Sequence, residues 1–131
     1  RPWSALYFLV ASATSAVLVQ VLKVTFGRAR PSDILVHVDP GSFPSGHVAN
    51  AATVAVAIAF IVGRAWVWVA GAVYVLVMAL SRTYLGAHWV SDTVGGALLG
   101  AAVSVLLFAA FAPRLGDDSW RRASSPDSVE P

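Results

Sequence analysis

Four long stretches without a charged residue restrict what this chain can fold into more than any other feature of its sequence. They cover residues 2–22, 48–63, 65–81 and 93–113. A helix that rises about 1.5 Å per residue needs roughly 17–25 residues to cross a bilayer core of about 30 Å. The outer two stretches fit comfortably, and the middle two lie at the short end. Helices of a soluble bundle carry a polar stripe, which these stretches lack. The sequence therefore predicts an all-α integral membrane bundle with four transmembrane helices.

The predicted helices divide the chain into a membrane core and a polar tail. A Pro- and Gly-containing loop at 27–46 separates the first helix from the others, and the helices are placed at 3–25, 47–62, 65–81 and 88–111. Residues 1–112 then form one membrane domain. Residues 113–131 are rich in Ser, Pro and charge, a composition typical of disorder. The net charge is only +2 and there is no cysteine. These two facts argue against a nucleic acid partner and exclude disulfides and thiolate metal sites.

Four alternating crossings would bring three separate polar stretches to one side of the membrane. The first helix ends where the second begins, and the third returns to the side from which the fourth starts. The candidate site residues gathered in this way are Lys23, Arg30, Ser45, His47, Arg82, His88 and Asp92. The other side receives Arg1, Arg64, Arg114, Arg121 and Arg122. Basic residues favour the cytoplasmic side of a membrane protein. If the cations of the first group serve a site, that site is expected on the outer face.

Two histidines in these stretches are candidate catalytic groups. His88 and Asp92 are four residues apart, so at a helix start they would share one face. The carboxylate could then accept from one ring nitrogen and leave the other as a nucleophile or base. The alternative is a pair that only caps the helix. His47 follows Ser45, a candidate N-cap, and could donate a proton to a leaving oxygen. A capped helix start with an interfacial histidine is the simpler alternative there.

The basic residues on the same side suit an anion. Helix N-terminal N–H groups, Arg forks and a Lys ammonium all bind phosphoryl oxygens, which favours a phosphate site at Lys23, Arg30 and Arg82. For Arg28 we favour snorkelling at the membrane interface. The acidic residues are too few and too scattered for zinc or for a two-metal site. The pattern therefore indicates phosphoryl transfer through a histidine, without a metal or another cofactor.

Three short motifs carry a family resemblance: KVTFGRARP (23–31), PSGH (44–47) and SRTYLGAHWVSD (81–92). Together they resemble the signature of the type 2 phosphatidic acid phosphatase family, the lipid phosphate phosphatases that share a site with vanadium haloperoxidases. The resemblance covers residues from about 3 to 111 and implies a membrane phosphatase core with a catalytic loop at 23–47. It implies that His88 attacks phosphorus and forms a phosphohistidine, that Asp92 orients His88, and that His47 protonates the leaving group. The residues implied to hold the phosphoryl oxygens are Lys23, Arg30, Ser45, Gly46 and Arg82.

The resemblance also implies a substrate class and exposes one departure. Membrane members of the family usually have six helices, of which this chain has four. Two N-terminal helices are therefore expected to be missing, in agreement with a chain that begins with Arg1 rather than Met. The Ala- and Val-rich composition favours a bacterial cell membrane. The expected substrate is a lipid phosphate, with a polyprenyl diphosphate such as undecaprenyl diphosphate first and phosphatidylglycerophosphate or phosphatidic acid next.

Selection of the headgroup is expected in loop residues 32–43, which include Asp33, His37 and Asp39. Two other functions stay open at this point. One is a non-catalytic membrane module that binds or transports lipid, although the charges sit at one rim and not along the helices. The other is a vanadium-dependent haloperoxidase, which the uncharged apolar stretches disfavour because those enzymes are usually soluble. The oligomeric state is left open.

Overall fold

Four helices, joined by one long and two short connections, make up the described part of the chain in this computed structural model. It describes residues 1–38 and 40–123, with side chains up to residue 116. The helices are α1 (Pro2–Phe26), α2 (Gly46–Val62), α3 (Ala65–Tyr84) and α4 (Val90–Ala123). The predicted all-α architecture is confirmed, and the first three helices begin and end within a few residues of the predicted bounds.

Three of the helices are long and apolar enough to cross a membrane. They are α1 with 25 residues, α3 with 20, and the Val90–Gly116 part of α4 with 27. The α2 helix has only 17 residues, which makes it about 26 Å long at 1.5 Å per residue. That is just short of a hydrocarbon core of about 30 Å. The integral membrane bundle is thus confirmed, while a complete crossing by α2 stays a prediction.

The helices alternate in direction, as predicted. At one end of the bundle the long connection between α1 and α2 crosses over the tip of α3, where the Leu35 N–H donates to the Leu85 carbonyl oxygen at 3.1 Å. At the opposite end the Arg1 guanidinium donates to the carbonyl oxygen of Ile61 at 3.2 Å. The end of α1, the start of α2, the end of α3 and the start of α4 therefore meet at the same end of the molecule.

The α2 and α4 helices pack with their backbones in close approach. Gly96 and Gly100 lie one turn apart on α4 and face α2. A Cβ atom at Gly96 would clash with the carbonyl oxygen of Ser45, and one at Gly100 with that of Ala49. Small residues four apart let membrane helices approach this closely. The contact places the first turns of α2 and α4 side by side, with the Ser45 N–H donating to the Asp92 carbonyl oxygen at 2.9 Å.

Hydroxyl groups tie three helices together inside the bundle. The Tyr7 hydroxyl on α1 donates to the carbonyl oxygen of Ser104 on α4 at 2.9 Å. The Ser104 hydroxyl donates to the Thr53 carbonyl oxygen on α2 at 3.1 Å. The hydroxyls of Thr53 and Ser15 lie 2.9 Å apart. Because a bilayer core offers no water to such groups, pairing between helices is the favourable arrangement, and it fixes α1, α2 and α4 relative to one another.

The last helix continues through the start of the region predicted to be disordered. It reaches Ala123 and contains Pro113, so the predicted boundary at residue 113 was wrong. Tertiary packing explains the difference, because Leu115 packs against the buried cluster around Tyr7. The Arg114 guanidinium also lies 5.1 Å from the ring centroid of Trp3. Residues 124–131, the rest of the predicted tail, lie outside the described residues.

Candidate active site

A cavity of about 220 Å³ opens at the end of the bundle that the α1–α2 connection covers. Five of the eight residues predicted for the site line it, and each polar stretch of the sequence contributes at least one. The lining residues are Lys23, Arg30, Val36, His37, Val38, His47, Arg82 and His88. The predicted gathering of both histidines and three cations at one end of the bundle is therefore confirmed.

The other three predicted residues lie beside this cavity. Gly46 lines a neighbouring cleft of about 360 Å³ between α1 and α2, together with Lys23 and His47. Ser45 is the N-cap residue of α2, as predicted, but its side chain makes no capping hydrogen bond. Its hydroxyl is buried and has no hydrogen-bond partner among the described residues. Asp92 lies wholly buried in the first turn of α4.

His88 is held by a backbone carbonyl group. Its Nδ1 lies 2.8 Å from the Ser42 carbonyl oxygen and 3.7 Å from Asp92 Oδ2, which is too far for a hydrogen bond. The predicted hydrogen bond between Asp92 and His88 was therefore wrong. The physical reason is local, because α4 begins at Val90 and His88 precedes it instead of sharing a helical face with Asp92.

The two neighbours of the His88 ring determine its tautomer. A carbonyl oxygen can only accept, so Nδ1 carries the hydrogen that Ser42 receives. On the other side, a guanidinium nitrogen of Arg30 lies 3.3 Å from Nε2 and can only donate. The same Arg30 nitrogen donates to the Ala87 carbonyl oxygen at 2.6 Å. His88 therefore carries its lone pair on Nε2, which faces the guanidinium group of Arg30, another residue of the cavity lining.

The electrostatic surroundings keep this ring neutral. Burial, foremost, lowers the pKa of His88 to about 4, and the positive charge of Arg30 adds to the effect. The Ser42 carbonyl and the Asp92 carboxylate act in the opposite direction and raise this pKa, whereas Lys23 lowers it further. With only 4% of its surface exposed, His88 has its lone pair available at neutral pH.

Asp92 lies close to His88 and accepts hydrogen bonds from three residues of two connecting segments. Its carboxylate accepts from Arg28 at 2.7 Å, from the Trp89 N–H at 2.9 Å and from the Ser42 hydroxyl. The prediction that Arg28 only snorkels was wrong, because the connection after α1 brings its guanidinium onto this buried carboxylate. Arg28 also donates to the Ser91 hydroxyl at 2.7 Å.

Sequence reasoning missed two residues at this site, Ser42 and Trp89. Trp89 lies between the two motif residues of the last stretch, and its indole N–H donates to the Ala29 carbonyl oxygen at 3.1 Å. It thereby holds the start of the connection against the start of α4. The identity of Trp89 was visible in the sequence, but nothing in the motif spacing indicated which backbone it would reach. Ser42 carries no signal beyond its place two residues before PSGH.

The cavity is suited to an anion. Lys23, Arg30 and Arg82 line it together, and the Nε of Arg82 is buried with no hydrogen-bond partner among the described residues. Buried N–H groups are almost always paired, so this donor is suited to an oxygen of a bound ligand. Within the described part of the chain, no group of three or more His, Cys, Asp or Glu could hold a metal ion. That the chemistry needs no metal stays a prediction.

The three loop residues expected to select the headgroup have different positions. His37 lines the cavity, between Val36 and Val38. Asp33 is exposed and does not line it; its backbone carbonyl instead approaches Gly86 so closely that a Cβ there would clash. Asp39 lies outside the described residues. Of the described residues in this loop, His37 is therefore the polar side chain placed to meet a bound headgroup.

Comparisons with known proteins agree with these features. The sequence model of the PAP2 superfamily matches residues 4–115. Phosphatidylglycerophosphatase B of Bacillus subtilis (strain 168) is 35% identical, over 82% of this chain and 58% of its own length. The undecaprenyl-diphosphatase of Sulfolobus acidocaldarius is 30% identical, over 75% of this chain and 50% of its own. The chain thus spans about half the length of these relatives.

A solved structure has the same arrangement of helices. The crystal structure of a transmembrane PAP2 type phosphatidylglycerolphosphate phosphatase from Bacillus subtilis matches with a TM-score of 0.75 and 36% sequence identity. The match covers 82% of this chain and 58% of that one.

Proposed function

The chain belongs to the PAP2 superfamily, and on that premise we propose that it hydrolyses a lipid phosphomonoester or diphosphate through a phosphohistidine, without a metal. One observation carries the proposal: buried His88, with its lone pair on Nε2, lines a cavity that also holds His47 and three cations. An oriented neutral imidazole is a nucleophile, and the cations stabilise the charge of a transferring phosphoryl group.

In the first step the Nε2 atom of His88 attacks phosphorus. A nitrogen–phosphorus bond forms while the bond from phosphorus to the leaving oxygen breaks. His47, in the first turn of α2, donates a proton to that oxygen, so that the lipid alcohol or lipid monophosphate leaves in a stable form. Lys23, Arg30 and Arg82 hold the other phosphoryl oxygens throughout.

In the second step water completes the hydrolysis. His47, now deprotonated, takes a proton from the water as its oxygen attacks phosphorus. The nitrogen–phosphorus bond breaks, inorganic phosphate leaves, and His88 and His47 return to their starting states. The same residue serves as acid and then as base, as microscopic reversibility requires of such a two-step transfer.

Three lipid substrates are proposed, in order of preference. A polyprenyl diphosphate such as undecaprenyl diphosphate comes first, supported by a relative named as an undecaprenyl-diphosphatase. Phosphatidylglycerophosphate follows closely, supported by the relative named phosphatidylglycerophosphatase B, and phosphatidic acid comes next. The cavity of about 220 Å³ is small and polar, which suits a phosphate-bearing headgroup while the hydrocarbon chain stays in the bilayer.

We place the site on the outer face of a bacterial cell membrane. At the opposite end of the bundle lie Arg1, Arg64 and Arg114, and basic residues mark the cytoplasmic side. The cations at the site end each have a local role there: Arg28 pairs with Asp92, while Lys23, Arg30 and Arg82 line the cavity. Arg121 and Arg122, counted earlier for the cytoplasmic side, lie outside the residues whose side chains are described.

The proposal is tested by measuring phosphate release from undecaprenyl diphosphate and from phosphatidylglycerophosphate in detergent with excess EDTA. We expect turnover that survives EDTA, is inhibited by vanadate and falls by about 10³-fold or more in His88→Ala, because the nucleophile is lost. Protein incubated with ³²P-labelled substrate and quenched in alkali should carry a label that is stable to base and labile to acid, as a phosphohistidine is.

Ser32→Ala is the matched control, since Ser32 is exposed in the same connection and does not line the cavity. It should retain activity and label. Phosphate release that needs a divalent metal, or that persists in folded His88→Ala protein, would contradict the mechanism. Binding of both lipids with no release of phosphate by any variant would favour the non-catalytic lipid-binding alternative.

A further inference from the structure

We propose that Ser42 is the positioning residue through which Asp92 acts on His88. The inference rests on the proposed function and concerns a residue outside all three motifs. The Ser42 carbonyl accepts the hydrogen bond of the His88 ring, and the Ser42 hydroxyl donates to the Asp92 carboxylate. A single residue thus connects the carboxylate to the nucleophile.

All three polar groups of Ser42 are engaged in this connection. Its N–H donates to the Arg28 carbonyl oxygen at 2.9 Å, its hydroxyl to Asp92, and its carbonyl oxygen lies 2.8 Å from Nδ1 of His88. The residue is wholly buried. Because the N–H and hydroxyl bonds hold the residue on both sides of its Cα atom, they limit the directions in which its carbonyl group can point.

The carboxylate of Asp92 holds the parts that surround His88. It accepts from Arg28 on one oxygen, and from Ser42 and the Trp89 N–H on the other. The Arg28 charge compensates its negative charge, which a wholly buried carboxylate requires. With these oxygens engaged and Nδ1 at 3.7 Å, the carboxylate supports the ring indirectly, by fixing the Ser42 peptide.

The indirect arrangement has a chemical consequence. A carboxylate bonded directly to Nδ1 would favour the protonated ring, whereas a carbonyl fixes the same tautomer with a weaker pull on the proton. The His88 ring is thereby oriented and still neutral. In the transfer step the ring gains positive charge as Nε2 bonds to phosphorus, and the Ser42 carbonyl and nearby Asp92 then stabilise it.

Variants of Ser42 and Asp92 test the connection. In Ser42→Ala the carbonyl remains but loses its tie to Asp92. We expect kcat to fall by about 10- to 100-fold, the size of a hydrogen bond to a charged group, with KM changed by less than about threefold. Ser42→Cys keeps the shape with a weaker donor and should fall between Ser42→Ala and the unmodified protein. Ser32→Ala is again the matched serine control.

A double-mutant cycle separates positioning from a general structural effect. If Asp92 acts through Ser42, the Ser42→Ala/Asp92→Asn protein should be no slower than Asp92→Asn alone. Losses of kcat that multiply, or a Ser42→Ala kcat within about twofold of Ser32→Ala, would overturn the inference. If Ser42→Ala does not fold, the kcat values of Ser42→Cys, Asp92→Asn and Ser42→Cys/Asp92→Asn are compared instead, and they test in the same way whether Asp92 acts through Ser42.

The experiment also distinguishes this inference from the proposed function. The unmodified protein and His88→Ala are assayed first on the same lipid. Turnover that does not depend on His88 contradicts the phosphohistidine and the Ser42 inference with it. Turnover that depends on His88 but is indifferent to Ser42 overturns the Ser42 inference alone and leaves the phosphatase proposal intact.

Discussion

The two candidate catalytic histidines of the cavity, His88 and His47, are the same residue type in opposite settings. His88 is 4% exposed, precedes α4 and is held through Nδ1 by a backbone carbonyl. His47 is exposed, lies in the first turn of α2 and lines both the cavity and the neighbouring cleft. The His88 ring is held in one orientation and is shielded from solvent. The His47 ring faces solvent and can exchange protons with it.

This difference supports the proposed division of roles between the two histidines. A nucleophile benefits from burial, because a buried imidazole loses its proton easily. A general acid and base benefits from access to water, since it must be reprotonated in every cycle. Close packing of α2 on α4 at Gly96 and Gly100 keeps the two histidines in the lining of one small cavity.

Replacement of His47 is the test of this comparison for which we expect the largest effect. In His47→Ala we expect phosphate release from the lipid substrate to fall by about 10²- to 10⁴-fold, because no acid protonates the leaving oxygen. An aryl phosphate has a leaving group that needs no proton. With it, the same variant should form the phosphohistidine rapidly and then turn over slowly, giving a burst of about one phenol per protein.

The matched partner is His88→Ala, which should show neither burst nor turnover with either substrate. Stopped-flow absorbance of the phenol gives the burst, and thermal melting of both variants shows whether they are folded. A burst in His88→Ala, or no burst in His47→Ala with the aryl phosphate, would reverse or remove the distinction between the two histidines.

The meeting of these residues was predictable because motif order and helix direction suffice for it. Uncharged stretches of membrane length force alternating crossings, and alternation alone brings Lys23, His47 and Arg82 to one end. The side-chain partners were less predictable. The Arg28–Asp92 pair joins residues 64 positions apart, and the path of the connection that brings them together has no periodicity from which it could be read.

The same limit explains why Ser42 and the end of α4 escaped prediction. A backbone carbonyl belongs to every residue type, so no sequence pattern distinguishes the one that will hold His88. Composition indicated disorder after residue 113, but composition does not report that Leu115 can pack against the cluster around Tyr7. Contacts made by the backbone, or between distant residues, were the ones that the sequence left out.

Titration of His88 sharpens the comparison without changing a substrate. Its pKa is lowered to about 4 from an ordinary value near 6.5, so the ring is neutral at pH 7 and gains its proton only as the pH falls through about 4. ¹⁵N-histidine NMR should show a neutral ring with hydrogen on Nδ1 down to that pH. The His88 signal is identified by its absence from the spectrum of His88→Asn. A titration midpoint near 6.5 would contradict the argument that burial lowers the pKa of His88.

The third histidine of the cavity gives the smallest expected effect and extends the comparison to substrate choice. His37 lines the cavity wall in a segment that the Leu35–Leu85 hydrogen bond holds across the end of α3. An imidazole there can donate to the part of the headgroup that is not transferred. One such hydrogen bond contributes about 0.5–1.5 kcal/mol, or roughly two- to tenfold in selectivity.

We therefore expect His37→Ala to change the ratio of kcat/KM between undecaprenyl diphosphate and phosphatidic acid by about two- to tenfold, leaving the phosphohistidine label intact. Asp33→Ala is the control from the same loop, since the Asp33 side chain does not line the cavity, and it should leave the ratio unchanged. Equal losses on both lipids would mean that His37 supports the cavity wall without reading the headgroup. A changed ratio would mean that the α1–α2 connection recognises the headgroup, whereas phosphoryl transfer takes place near the starts of α2 and α4.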